Sequence, residues 1–161
     1  MTKTLLITGG CGFIGANFVH RILRQYPDYR VINLDKLTYA GNPANLADIA
    51  DDERYRFVHG DIADVATVEP LVAEADCIIN FAAESHVDRS ILGSADFLHT
   101  NVNGTYVLLD AARRHGIERF HHISTDEVYG SIAEGHWDES FPLEPRNPYA
   151  ATKASAELLV R

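Results

Sequence analysis

The sequence lacks the features typical of disulfide-bonded, membrane-spanning and secreted proteins. Its two cysteines, Cys11 and Cys77, form no CxxC pair, which indicates reduced thiols in a reducing compartment. No apolar run reaches the roughly 18 residues that a membrane span needs, and the first apolar run is too short for a signal peptide. We therefore expect a soluble, cytoplasmic protein with no membrane partner.

Positive charge is also scarce. The chain has 14 Lys and Arg against 23 Asp and Glu, giving a net charge of -9. Because this charge repels a polyphosphate backbone and no basic run offsets it, nucleic acid is not expected as a partner. The eight histidines match none of the usual metal-ligand spacings, and His121 and His122 would point to opposite faces of a strand. No metal site is expected.

What is present is the ordinary composition of one globular domain, with 46% hydrophobic residues in 161. Apolar runs predict five strands, at residues 4–8, 31–34, 56–62, 77–83 and 119–124. Between and after them, helical patterns cover residues 16–25, 44–50, 65–75, 94–114 and 148–161. Right-handed crossovers make this an α/β fold, a doubly wound (Rossmann) parallel sheet of at least five strands in the order 3-2-1-4-5. Residues 129–147 are expected to form a long loop.

A glycine-rich turn follows the first predicted strand. Gly10, Gly12 and Gly15 fit the dinucleotide fingerprint, in which the backbone approaches a pyrophosphate at a helix N-terminus. Asp35 ends the second strand, where that motif uses a carboxylate to hold the adenosine ribose. A carboxylate there repels a 2′-phosphate, so NAD is favoured over NADP, although Lys36 beside it leaves NADP open.

The ends of later strands carry further candidates. Asp61 is either a helix cap or, by analogy with dinucleotide folds, a neighbour of the adenine. Ala82 and Ala83 are small enough to let a ligand approach the backbone, and residues 84–90 form a polar loop or a merely solvated one. Asn101 and Gly104 are weak helix formers within residues 94–114, which indicates a packing or polar role for them.

Two adjacent carboxylates stand at the end of the fifth strand. Thr125, Asp126 and Glu127 follow an apolar run, where side chains of an open α/β sheet face a ligand. Tyr149 and Lys153 are four residues apart, so on a helix they share a face, and the ammonium would lower the pKa of the phenol. Asp126 and Glu127 can reach one ligand together only if the chain turns or bulges here.

These features together resemble the extended branch of the short-chain dehydrogenase/reductase superfamily. The segments 8–15, 35–42, 82–90 and 124–130 narrow the resemblance to the dTDP-glucose 4,6-dehydratases. The resemblance implies an NAD-dependent lyase, in which Tyr149 is the acid/base for the sugar hydroxyl, Lys153 holds the nicotinamide ribose and Thr125 orients the substrate. It also implies that Glu127 is the base at C5 and Asp126 the acid at C6. Such an acid needs a raised pKa, which burial would favour.

The resemblance supplies the remaining site assignments. Residues expected to bind the cofactor are Gly9, Gly12, Phe13, Ile14, Gly15, Asp35, Lys36, Leu37, Thr38, Asp61, Ile62, Ala82, Ala83, Ser85, Thr100, Tyr149 and Lys153. Those expected to bind the substrate, a nucleotide sugar such as dTDP-glucose, are Ser85, His86 and Thr125.

Members of this family are about twice as long as this chain. Residues 1–161 are therefore expected to be an NAD-binding Rossmann domain that lacks the C-terminal nucleotide-sugar-binding portion, with a homodimeric parent and little activity of its own. Two other hypotheses stay open: an NAD-binding module without catalysis, and a sugar-nucleotide epimerase. Epimerases share the glycine turn and the Tyr149/Lys153 pair but not the two carboxylates.

Overall fold

The computed structural model describes residues 3–161 as a parallel sheet with helices on both faces. Its five strands stand in the order β3-β2-β1-β4-β5, which confirms the predicted topology. Their bounds are β1 Lys3–Thr8, β2 Tyr29–Asp35, β3 Tyr55–His59, β4 Cys77–Asn80 and β5 Phe120–His122. Strand β1 is central, pairing Leu5 with Val31 of β2 and with Cys77 of β4.

Helices connect the successive parallel strands. They are α1 Phe13–Gln25, α2 Val65–Ala73, α3 Val87–Leu92, α4 Ala95–Phe97, α5 Thr105–His115 and α6 Pro148–Val160. Short 3₁₀ helices cover Pro43–Ile49 and Asp126–Tyr129, and a π-helical segment covers Leu98–Gly104. Within residues 3–161, no helix is both long and apolar enough to cross a membrane.

The core has two layers because successive strand residues point to opposite faces. Leu6 packs with the inner faces of α2 and α5, through residues such as Val68 and Leu108. Leu5 and Ile7 pack on the other side, against α1. A strand covered on both faces reads as a continuous apolar run, which is why these strands were visible in the sequence.

The predicted helix over residues 94–114 is not one regular helix. It starts at Ala95 as α4, passes through the π-helical segment and continues as α5 to His115. The irregularity lies where Asn101 and Gly104 were expected to pack, and both are buried. Gly104 lies so close to Ile62 that a Cβ would meet its side chain at 2.5 Å. Part of the loop predicted over residues 84–90 is also helical, since α3 begins at Val87.

Strands β3, β4 and β5 end earlier than predicted. The residues that follow them, around Asp61, Ala82 and Ser124, are loop rather than strand. Since all five strands are parallel, these loops and those after β1 and β2 meet at one edge of the sheet. That edge holds the site.

Candidate functional site

A cavity of about 360 Å³ lies at the carboxyl edge of the sheet. It is lined by the loops after the strands and by the start of α6. Most predicted cofactor residues line it: Gly9, Gly12, Phe13, Ile14, Gly15, Asp35, Lys36, Thr38, Asp61, Ile62, Ala82, Ala83, Ser85, Thr100, Tyr149 and Lys153. Of the other predicted site residues, Leu37, His86, Thr125, Asp126 and Glu127 are not among its lining residues.

The glycine-rich turn that lines one end of the cavity has no room for side chains. Gly9 has a φ of +70°, and a Cβ there would lie 2.6 Å from the backbone nitrogen of Ala82. A Cβ on Gly15 would run into the carbonyl of Gly9 and lie 2.8 Å from the Cα of Gly10. The turn therefore requires glycine for both conformation and close packing.

The N-terminus of α1 opens into the cavity. Its first residue follows Gly12, whose position carries no side-chain cap. Phe13 and Ile14 of its first turn are 82% and 62% exposed, so the backbone there is open to a ligand. Uncapped amides and the positive end of the helix dipole together favour an anion such as a pyrophosphate.

Asp35 is 7% exposed and ties the turn to the next loop. Its Oδ2 accepts from the Cys11 amide at 2.8 Å, and its Oδ1 accepts from the Leu37 amide at 2.8 Å. Leu37 has a φ of 54° and packs its side chain on the α1 core layer, which is why it does not line the cavity as predicted. Its contribution is a backbone amide that orients Asp35.

Asp61 pairs with two basic side chains at the rim of the cavity. Its Oδ2 lies 2.7 Å from Lys36 Nζ and 3.1 Å from His99 Nε2. Although burial alone would raise it, hydrogen bonds from Lys36, Ala63 and His99 hold the pKa of Asp61 below its ordinary value. Asp64, not Asp61, caps α2, so the helix-cap interpretation of Asp61 is wrong.

The loop after β4 is held by Asn101. Its Oδ1 accepts from the Glu84 amide at 2.8 Å, and its Nδ2 donates to the Glu84 carbonyl and to Thr152 Oγ1, each at 2.9 Å. Asn101 thus joins the π-helical segment, the cavity wall and α6. This confirms the polar role that the sequence indicated for it.

Tyr149 lies at the far end of the cavity, on the first turn of α6. Burial raises the pKa of its phenol; a hydrogen bond with the Thr125 side chain lowers it, and the Glu127 and Asp126 carboxylates raise it further. The expected lowering of this pKa by Lys153 is therefore absent. Lys153 Nζ instead donates to the carbonyl of Ile123 at 2.5 Å.

Lys153 is itself 3% exposed. Burial lowers its pKa to about 8, against the attraction of the Glu157 carboxylate. A second neighbour, His122 Nε2, lies 3.4 Å from Nζ. The lysine is thus held in place by the end of β5 rather than by the phenol.

The chain turns directly after Thr125. Thr125 Oγ1 accepts from the Glu127 amide at 3.3 Å and caps the 3₁₀ helix that carries both carboxylates. The sequence required a turn here if Asp126 and Glu127 are to serve one ligand, and the structure has it. Glu127 Oε2 accepts from Asn147 at 2.7 Å. Asp126 is exposed, so the burial expected for a proton-carrying acid is not present in this chain.

Sequence reasoning missed several lining residues. They are Leu34, Ala40, Gly41, Gly60, Phe81, Glu84, Ile123 and Ser124. All but Ala40 and Gly41 lie within about two residues of a predicted strand end, so adjacency to those ends was the available signal. His86 does not line the cavity because it stands at the N-terminal boundary of α3, beyond the Ser85 position that does.

Comparisons with known proteins place this geometry in a family. The family profile described as GDP-mannose 4,6 dehydratase matches residues 6–161. The chain is 60% identical to the low-salt glycan biosynthesis protein Agl12 of Haloferax volcanii, over 98% of this chain and 50% of that protein. It is 57% identical to a dTDP-glucose 4,6-dehydratase of Streptomyces niveus, over 96% of this chain and 47% of that protein.

Solved structures agree. The crystal structure of DesIV, a dTDP-glucose 4,6-dehydratase from Streptomyces venezuelae with NAD and TYD bound, matches with a TM-score of 0.93 and 56% identity. That match covers 97% of this chain and 50% of DesIV. The UDP-Glc/GlcNAc 4-epimerase of Campylobacter jejuni matches with a TM-score of 0.90 and 28% identity, over 99% of this chain and 48% of the epimerase.

The chain spans about half the length of the curated relatives it matches. The family profile nevertheless covers nearly all of this chain. One cavity is lined by the glycine turn, Asp35 and the Tyr149/Lys153 pair. The chain belongs to the GDP-mannose 4,6 dehydratase family.

Proposed function

We propose that a full-length protein carrying this chain dehydrates a nucleoside-diphosphate glucose, dTDP-glucose in the first instance, to the 4-keto-6-deoxy sugar. One observation carries the proposal. Asn147 caps α6 just before Tyr149 and donates to Glu127 Oε2 at 2.7 Å. Thr125 caps the turn that bears Asp126 and Glu127. The tyrosine that lines the cavity and the turn that carries the two carboxyl groups are thereby held beside one another.

The residues of the cavity fit NAD. Glycines that exclude a Cβ leave space for a pyrophosphate, the uncapped end of α1 supplies amides, and Asp35 presents a carboxylate to the ribose hydroxyls. When bound, NAD would supply the hydride acceptor and donor that the reaction needs. This fit supports NAD as the cofactor, as in DesIV.

The side chains divide the proton transfers among themselves. In the proposal, Tyr149 takes the proton of the C4 hydroxyl, with Thr125 orienting that hydroxyl. The ketone so formed acidifies C5, where Glu127 removes the proton. Asp126 gives a proton to the C6 hydroxyl, which leaves as water. Because Asp126 is exposed in this chain, it can take up a proton from solvent before substrate covers it. Lys153 holds the nicotinamide ribose.

A sugar-nucleotide epimerase is the second candidate. The TM-score of 0.90 with the Campylobacter jejuni 4-epimerase supports it, because the same cavity and tyrosine would serve an epimerase. Epimerisation at C4 needs no acid and base at C5 and C6, so the Asp126/Glu127 turn favours the dehydratase. A module that only binds NAD has no use for either group.

Replacing Glu127 by Gln in the full-length protein separates these functions. We expect exchange of the C5 hydrogen with deuterated water to fall by about 10²-fold or more, the usual worth of a general base, while NADH still forms from the C4 oxidation. Glu139→Gln, an exposed acid of the following loop, is the matched control and should change neither. Unchanged C5 exchange in Glu127→Gln would refute the assignment.

The proposal extends to the parts that lie outside this chain. We propose that residues 1–161 form the NAD-binding domain, and that a C-terminal portion completes the nucleotide-sugar pocket of a cytoplasmic homodimer. The exposed Leu158 and Leu159 of α6 provide apolar surface for such packing. The 161-residue chain alone should bind NAD weakly and form little product. Robust formation of a 4-keto-6-deoxy sugar by this chain would contradict the division.

A further inference from the structure

A line of buried polar groups runs from the glycine turn to Lys153. It starts at the Ala82 amide, which donates to Thr8 Oγ1 at 3.3 Å. Thr8 Oγ1 then donates to Asn80 Oδ1 at 2.6 Å. Thr8 and Asn80 are fully or almost fully buried, so no water competes for these bonds. We call the line Ala82–Thr8–Asn80–His122–Lys153 the relay.

The direction of the relay is fixed at its first bond. A backbone amide can only donate, so the Thr8 oxygen accepts there and its hydroxyl proton is left for Asn80. The 2.6 Å separation suits an O–H···O bond and is short for N–H···O. Asn80 must therefore present its oxygen to Thr8 and its NH₂ group to the other side.

That NH₂ group determines the state of His122. Asn80 Nδ2 lies 3.4 Å from Thr105 Oγ1 and 3.2 Å from His122 Nδ1, so its two hydrogens have one acceptor each. Nδ1 must then be unprotonated, since an imidazolium would set two donors against each other. The remaining hydrogen of a neutral ring is on Nε2, which faces Lys153 Nζ at 3.4 Å.

An Nε2–H group cannot accept a hydrogen bond from an ammonium, but it can donate to the lone pair of an amine. Lys153 Nζ faces His122 Nε2 of β5 and also donates to the adjacent Ile123 carbonyl. The charged group of its own helix that acts on its pKa is Glu157, whose carboxylate accepts from Ser124 at 2.9 Å and from Arg161 at 2.6 Å. Tyr149 is the other titratable group of α6 at the site.

We propose that His122 is a positioning residue for Lys153: a neutral imidazole, locked as its Nε2–H tautomer by Asn80, presents a donor to Nζ and so favours the uncharged amine. Burial of both groups acts in the same direction, since it lowers the pKa of His122 to about 4 and that of Lys153 to about 8. The use of such a lysine, as a proton-exchanging neighbour of Tyr149, rests on the proposed function. The tautomer does not.

Nitrogen NMR of the ¹⁵N-labelled 161-residue chain tests the tautomer directly, without cofactor or turnover. Long-range ¹H–¹⁵N spectra distinguish Nε2–H, Nδ1–H and doubly protonated rings, and His122→Gln identifies the signals of His122 by their loss. We expect the Nε2–H pattern at neutral pH, persisting into mildly acidic solution. An Nδ1–H pattern or a charged ring at neutral pH would overturn the proposal.

Reversing the relay tests its effect on Lys153. Asn80→Asp replaces the donor facing Nδ1 by an acceptor, so His122 should protonate Nδ1. In the neutral ring this frees Nε2 to accept from Lys153, and the titration midpoint of the lysine, followed by its ¹³Cε shift, should rise. Thr8→Val, an isosteric change two bonds from the ring, removes what fixes Asn80 and should give mixed tautomers with a smaller rise.

Thr152→Val is the matched control, because it removes an equally buried hydroxyl that lies outside the relay. It should leave the His122 tautomer unchanged. A purely structural role for His122 predicts no tautomer change in Thr8→Val, so an unchanged pattern there would defeat the proposal even if Asn80→Asp does not fold. Loss of C5 exchange in Glu127→Gln bears on the proposed function alone, which keeps the two failures separate.

Discussion

The two ends of the cavity are built differently. At the glycine turn, Gly9, Gly15 and Asp35 are fixed by backbone contacts and by hydrogen bonds from neighbouring loops. In the acidic turn beside the other end, Asp126 is exposed and Glu127 has one side-chain partner, Asn147. The cofactor end is closely packed and hydrogen-bonded within this chain, whereas the acidic turn has fewer side-chain contacts of its own. Substitutions should therefore affect stability and NAD binding strongly at the first end and weakly at the second.

The largest effect is expected from Gly15→Val. Its branched side chain would meet the Gly9 carbonyl and the Gly10 Cα, which are backbone atoms that cannot move aside without opening the turn. Overpacking of this kind should cost about 3 kcal/mol of unfolding free energy and abolish measurable NAD binding. Urea unfolding and calorimetric titration measure the two effects.

Gly93→Ala is the control for this change. A Cβ at Gly93 meets nothing within 4 Å, so stability should change by less than about 0.5 kcal/mol. If Gly15→Val and Gly93→Ala proved equally harmless, the close packing at the cofactor end would not be what stabilises it.

Acid should lower the free energy of unfolding of this chain through His122. Its folded-state pKa is lowered from 6.5 to about 4 by burial, with Lys153 acting in the same direction. Between these two pH values the unfolded chain therefore binds more protons than the folded chain. The contribution of neutral His122 to the free energy of unfolding is complete above pH 6.5 and is lost as the pH falls towards 4. Allowing for partial solvent screening, the loss is on the order of 1–3 kcal/mol.

Unfolding free energies measured across that pH window check this contribution. The His122→Gln variant should show a shallower fall with acid than the parent chain, and His136→Gln, an exposed loop substitution, should not. Glu84, whose pKa burial raises, titrates in both proteins and cancels in the difference. Parallel curves for His122→Gln and the parent would contradict the prediction.

Asp35→Asn should have a smaller effect, concentrated on the cofactor. The carboxylate accepts from two amides, and an asparagine would turn a donor towards one of them. The losses in unfolding free energy and in NAD binding free energy should together be about 1–3 kcal/mol, with the larger part in binding. Asp48→Asn, at a 64% exposed side chain, is the control and should leave NAD affinity unchanged in the same titration.

What could be predicted from the sequence follows the same division. The strand order and the glycine turn depend on local pattern, so the apolar runs and Gly10, Gly12 and Gly15 were sufficient to predict them. The turn after Thr125 was stated as a condition because two adjacent carboxylates cannot share one face of a strand. All these arguments use residues close together in the chain.

The relay and the support of the glycine turn could not be predicted in this way. Thr8 meets Asn80 across 72 positions, and Asn80 meets His122 across 42, so these pairs form only when the sheet does. Asn33, which accepts from the Gly10 amide at 3.0 Å, looks like one polar interruption of an apolar strand. The predicted lowering of the Tyr149 pKa by Lys153 was wrong for the same reason, since Lys153 donates to the backbone carbonyl of Ile123, just after β5.

The smallest effect is expected from Glu127→Gln in the 161-residue chain. Asn147 donates to Glu127 Oε2 at 2.7 Å, and the amide oxygen of glutamine can accept the same bond. Stability should change by less than about 0.5 kcal/mol and NAD affinity not at all, because the glutamate is not among the residues that line the cavity. Thermal unfolding and NAD titration of this variant beside Asp35→Asn give the comparison its sharpest form. A destabilisation by Glu127→Gln as large as that by Asp35→Asn would mean that the acidic turn is already part of the folded framework, and the contrast between the two ends would be lost.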